Sequence, residues 1–157
     1  MHFLRLTTVF ILTSCFSFGA SNHKSTHHQF FEPLSPWHKI DAGTADVVFQ
    51  QPEDHSTISL NSVCDQYEDL TLEELTRNLL QGISERKIVS SKKLTIQDNP
   101  AVQTVIAGVL DKDSFQGVFT VIRGKRCIYD VILIAKPAVF AKHLDVYQDS
   151  LKSLTGE

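Results

Sequence analysis

The side chains best suited to chemistry are few and scattered. Asp130 is a carboxylate inside an otherwise apolar stretch, Ile128-Tyr129-Asp130-Val131-Ile132-Leu133-Ile134-Ala135. A buried carboxylate needs a partner or titrates high, which is how functional carboxylates often look. The plainer alternative is an exposed strand end, or an ion pair to Arg123 or Arg126 across a hairpin, and it is the favoured one. Nucleophilic chemistry would need a Ser, Cys or Thr brought to a histidine. The body of the chain offers His38, His55 and His143, none of them in a G-x-S-x-G, H-E-x-x-H or Gly-rich phosphate-binding pattern. No catalytic residue is therefore assigned. His143 falls beside an apolar helical stripe, which predicts surface or rim packing. His23, His27 and His28 crowd together and could hold a metal loosely. Without Cys or acidic ligands beside them, a solvated stretch is the stronger reading, and no metal or cofactor site is assigned. Arg123, Lys125 and Arg126 make a small basic tip that reads as a solvated turn rather than as a site for lipid headgroups or an acidic partner.

Residues 1–14 carry one Arg and then an apolar run. The run is shorter than the ~20 residues of a membrane-spanning helix, and it has the form of a secretory signal. It ends in Leu12-Thr13-Ser14-Cys15. This resembles the bacterial lipobox, in which an aliphatic and two small residues precede a Cys. The resemblance implies cleavage before Cys15 and lipidation of that residue by palmitate-like acyl chains. Thr7 and Thr8 dilute the run, and Phe16 is bulky where a small residue is usual. Ordinary signal cleavage near Gly19 or Ala20 is the competing reading. Ser17 stands where an Asp would retain a lipoprotein at the inner membrane. In a Gram-negative cell the resemblance thus implies an outer-membrane anchor facing the periplasm.

Acylation of Cys15 leaves Cys64 and Cys127, an even pair in a compartment where disulfides persist. Cys64 shares strand parity with Ile58 and Leu60, and Cys127 with Tyr129, Val131 and Leu133. Both point to the apolar side of their strands, which permits a bridge. Two buried free thiols are the alternative; the disulfide is preferred.

The elements that position these residues are readable in order. Residues 15–36 are a lipidated Cys and a flexible, polar linker with Pro33 and Pro36, and Phe30 and Phe31 mark where it begins to dock. Residues 37–157 form a single domain. Strands are predicted over Pro36–Ile40, Ala45–Gln50 and Thr57–Cys64. Thr71-Leu72-Glu73-Glu74 is a capping box that opens a helix over Leu72–Glu85. Strands follow over Ile88–Gln97, Ala101–Leu110, where a helix is the alternative, and Phe115–Arg123. The first two of these are joined by a turn at Asp98-Asn99-Pro100. A two-residue turn at Gly124-Lys125 leads into the stretch from Arg126 to Ala135, setting Ile122 opposite Cys127 and Thr120 opposite Tyr129. That last strand is apolar on both parities except at Asp130, so it belongs inside the sheet. Pro137 opens a final helix with a stripe of Phe140, Leu144, Tyr147, Leu151 and Leu154.

The order is an α+β domain: an antiparallel sheet of about six or seven strands packed with two helices. With its early Trp37 and its helix after a hydrophobic strand, it resembles the PsbP-like sandwich domains, and a ferredoxin-like layout is the alternative. The formal net charge of -3 gives no pull toward nucleic acid. The expected protein is a lipid-anchored cell-envelope protein with a non-enzymatic binding or assembly domain, held at a membrane and meeting an envelope partner. The alternatives are a small exported hydrolase using Asp130 with a histidine, and a metal-binding envelope protein using His23, His27 and His28.

Overall fold

The computed structural model describes residues 28–29, 33, 35–41, 43–65, 69–83, 85–110 and 112–156. The signal segment, Cys15, His23, His27, Phe30 and Phe31 lie outside the described residues, and of His28 only the backbone is described.

The elements are β1 (His28–Gln29), β2 (His38–Ile40), β3 (Val47–Gln50), β4 (Thr57–Cys64), α1 (Leu72–Leu80), β5 (Glu85–Ile96), β6 (Asn99–Leu110), β7 (Asp113–Arg123), β8 (Cys127–Ala135), a 3-10 turn (Phe140–His143), α2 (Leu144–Ser153) and β9 (Thr155–Gly156). Strands β2 to β8 form one antiparallel sheet of seven strands in the order β2-β3-β4-β8-β7-β6-β5. The doubly apolar stretch is thus the middle strand, β8, and the domain is α+β with a helix on each face. Cys127, Tyr129, Val131 and Leu133 join Ile58, Leu60, Val118 and Ile122 beneath Tyr147 and Leu151 of α2. On the opposite face Ile132 and Ile134 approach a smaller cluster of Ile106, Phe115, Phe119 and Leu80 of α1.

The helix α2 is also located by a buried polar chain. Tyr147 Oη donates to the Val131 carbonyl at 2.9 Å and lies 2.6 Å from Thr120 Oγ1, which accepts from Gln103 Nε2 at 3.1 Å. Tyr147 has a single proton and gives it to Val131, so the Thr120 hydroxyl must donate to Tyr147. Such a fully connected chain fixes one docking of the helix where oily contacts alone would permit several.

Several boundaries differ from expectation. The helix α1 ends at Leu80 rather than Glu85, because β5 already begins at Glu85. The β5–β6 turn is Gln97–Asp98, both left-handed with φ of 47° and 63°, so Ile96 faces Asn99 and Pro100 lies in β6. The β7–β8 turn is Lys125-Arg126 rather than Gly124-Lys125, which places Ile122 opposite Tyr129 and Thr120 opposite Val131. Gly124 belongs to the strand end, where its N–H donates to the Cys127 carbonyl at 2.9 Å. A Cβ there would meet the Tyr129 ring at 2.9 Å, so the glycine makes room for that ring and does not form the turn. Moving the turn by one residue shifts the pairing by two, so every side chain keeps its face. The last helix begins as the 3-10 turn at Phe140 and becomes α-helical only at Leu144. Part of the expected linker also pairs with the domain: His28 and Gln29 face Gly156 and Thr155 in a small antiparallel ladder.

Candidate functional site

The residues singled out by their chemistry are dispersed over the domain. Asp130 sits on the α1 side of β8, between Asn61 of β4 and Val121 of β7. Burial pushes its carboxyl up to about 6, and it has no hydrogen-bond or ion-pair partner among the described residues. The plainer expectation of a salt bridge is corrected. Arg126 pairs with Asp65 at 2.7 Å, and the Arg123 guanidinium donates to the Leu70 carbonyl. Nor is a histidine brought to Asp130. His38 lies on β2, separated from β8 by β3 and β4, about 14 Å away at ordinary strand spacing. His55 is exposed in the β3–β4 turn.

His143 was expected at the rim, and it is buried on the α2 side with 3% exposure. Its Nε2 lies 2.8 Å from Asp54 Oδ2, and its ring stands edge-on to Trp37 at 5.2 Å. Burial alone would raise the Asp54 carboxyl. Hydrogen bonds from Ser56 and His143 outweigh it and hold the group at about 2. This pair ties the entrance of α2 to the β3–β4 turn. Cys64 and Cys127 are register partners on β4 and β8, with sulfurs at a disulfide's distance and Cα atoms 4.0 Å apart.

The concave surface lies elsewhere, between α1 and the β5–β6 hairpin. One lobe, a cavity of about 420 Å³, is walled by Leu70, Leu72, Lys93, Leu94, Ala101 and Arg123. A second, of about 170 Å³, is walled by Thr76, Arg77, Arg86, Ile88, Ser91 and Thr104. Glu73 and Val102 line both, so the lobes adjoin. Local sequence builds the α1 wall: Thr71 Oγ1 accepts from the Glu74 N–H at 3.2 Å, while Glu74 accepts from the Thr71 N–H at 2.8 Å. That capping box starts the helix where it was expected. The first turn then presents Glu73 toward β5, where it meets Lys93 Nζ at 2.6 Å. The hydrogen bond and charge of Lys93 lower the Glu73 carboxyl. The β-side wall is held by Ser91 Oγ and Thr104 Oγ1, 2.9 Å apart across the hairpin.

Chemically the groove has an apolar floor with guanidinium, ammonium and hydroxyl groups at its rim. Its lining holds no histidine or cysteine to activate or act as a nucleophile. Sequence reasoning missed it because it needs two elements at once. One signal was present, the run Arg86-Lys87-Ile88-Val89-Ser90-Ser91-Lys92-Lys93, with cations on both parities at each end, as suits an edge strand.

No family model matches the chain, and no curated protein sequence does. Solved structures do. The cyanobacterial PsbP of Synechocystis sp. PCC 6803 aligns with a TM-score of 0.58 at 12% identity, over 93% of this chain and 99% of that one. LpqN of Mycobacterium tuberculosis, a protein involved in cell envelope biogenesis, aligns with a TM-score of 0.63 at 10% identity, over 85% and 87%. The Pseudomonas aeruginosa protein PA94 aligns with a TM-score of 0.55 at 13% identity, over 82% and 86%. At such identities the likeness is one of fold, and the fold is the PsbP-like sandwich: a seven-stranded antiparallel sheet between two helices.

Proposed function

We propose that this is an exported, lipid-anchored cell-envelope protein whose sandwich domain binds a partner and does not transform a substrate. The observation that carries the reading is the Cys64–Cys127 pair at disulfide distance on adjacent central strands. Such a bond persists in oxidising, extracytoplasmic compartments. The envelope role of LpqN, which shares the fold, supports the same compartment. The lipobox-like Leu12-Thr13-Ser14-Cys15 supplies the anchor, which would confine the domain to a membrane surface and raise its effective concentration for partners there. The groove beside α1 supports binding over hydrolysis, since Asp130 lies outside its lining and no described histidine is near that carboxylate.

The test is the intact mass of the membrane-extracted mature protein beside a Cys15→Ala variant. A chain beginning at Cys15 with added acyl mass, lost in the variant, is expected. A soluble product beginning near Ala20 would remove the anchor. Masses before and after alkylation without reductant report whether Cys64 and Cys127 are bonded.

A further inference from the structure

Among the described residues the strand β5 is an edge of the sheet, hydrogen-bonded only to β6. It is 12 residues long, exposed over nearly its whole length, and carries Arg86, Lys87, Lys92 and Lys93 against a single acid, Glu85. At its centre Ile88 and Val89 are 57% and 54% exposed. The pairing with β6 slips between Ile88 and Ser90. This bulge sets Arg86 and Lys93 on the α1 face and Lys87 and Lys92 on the other, so each face carries a cation at both ends of the apolar centre. Lys87 and Lys92 have no ion-pair partner among the described residues. Edge strands of this length offer alternate N–H and C=O groups to an incoming strand.

A second copy of the chain is a poor occupant. Antiparallel self-pairing about the middle of β5 sets Arg86 against Lys93 and Lys87 against Lys92, and like charges directly opposite are destabilising. An acidic strand meets the opposite situation. We propose that β5 docks an extended, acidic segment of another protein as an eighth strand. Main-chain hydrogen bonds would supply affinity, carboxylates at both ends would meet the two pairs of cations, and an apolar centre would cover Ile88 and Val89. Side chains of that strand on the α1 face project toward Arg77 and Arg86 at the rim of the smaller lobe. The proposal rests on the binding reading of the domain but not on its anchor. A chain without lipid leaves it intact, and a failed docking experiment leaves the mass measurement intact.

The probe is a capped octapeptide, EDTVTVED, added to the full mature chain, with its charge-inverted counterpart KRTVTVKR as control. Amide hydrogen exchange should slow about tenfold over residues 85–93 with the acidic peptide only. The effect should vanish near ~1 M salt, where the Debye length is ~3 Å. The exposed double variant Lys87→Glu/Lys92→Glu, checked for an unchanged unfolding midpoint, should lose the protection. Three results would overturn the proposal: no protection over 85–93, equal protection by the inverted peptide, or protection confined to the larger lobe beside Leu70 and Leu72. Any of these would leave the lysines as guards against edge-to-edge aggregation.

Discussion

His143 and Asp54 are 89 residues apart in sequence, yet Nε2 of one lies 2.8 Å from Oδ2 of the other. Their side chains are 4% and 14% exposed, so the contact is made away from water. It fixes the start of α2 against the β3–β4 turn, and it sets Trp37 edge-on to the imidazole.

Asp54→Asn and His143→Ala should therefore each lower stability by about 3 kcal/mol, since each leaves a buried polar group without its partner. Urea unfolding followed by the fluorescence of Trp37, the single tryptophan, would measure this. The folded Asp54 carboxyl is depressed to about 2 from 3.8. Its contribution is thus complete above the ordinary carboxylate range and lost as pH falls through about 2. The gap between wild type and Asp54→Asn should narrow over that acid window.

Asp130 has the opposite sign. Its carboxyl is raised from 3.8 to about 6, so the folded state holds the proton more tightly than the unfolded chain. The corresponding stability is present below the ordinary carboxylate range and is lost as pH rises through about 6. At neutral pH the ionised group costs about 3 kcal/mol, and Asp130→Asn should recover it. Thermal midpoints of the two proteins at acid and neutral pH would check this; an equal gap at both would contradict the titration.

Tyr147→Phe removes the donor to Val131 and the acceptor for Thr120 at one stroke. A loss of about 2 kcal/mol follows from two buried groups left unpaired. Thr120→Val in the same background still takes the acceptor from Gln103, but the Thr120–Tyr147 bond is already gone, so the two single losses should sum to more than the double, a non-additivity that a double-mutant cycle reads directly.

Reducing the Cys64–Cys127 pair, or replacing both by Ser, opens a loop of 63 residues. The chain-entropy model puts the loss at about 4 kcal/mol. Urea midpoints with and without reductant should differ accordingly, and the double Ser variant should show no difference.

What was legible in the sequence was local or periodic. β8 announced itself because its apolar residues fill both parities. The Thr71–Glu74 capping box lies within one helical turn. The half-buried alternation of β4 placed its bounds at Thr57 and Cys64. What stayed hidden depended on distant residues. The β7–β8 turn was misplaced because Gly124 answers to the Tyr129 ring. The Gln97–Asp98 turn uses left-handed backbone at two non-glycine residues, which no glycine marked. His143 gave no sign of burial because its partner lies far away on another turn. The β1–β9 ladder is only two residues long on each side, too short for any period. Parity put Cys64 and Cys127 on the apolar sides of their strands, and they stand opposite one another on β4 and β8, whereas the groove required α1 and β5 to be set side by side.

The bond between β4 and β8 has a mechanical consequence. The elements α1, β5, β6 and β7, and with them every residue lining the groove, lie in the loop between Cys64 and Cys127. When the chain is stretched from its two ends, tension passes from strand to strand through the two sulfurs and bypasses that loop. The extensible contour is shortened by the 63 bridged residues, roughly 200 Å at ~3.4 Å each. A pull at the N-terminal side would unravel β1, β2 and β3 while the groove and the β5 edge stay unloaded.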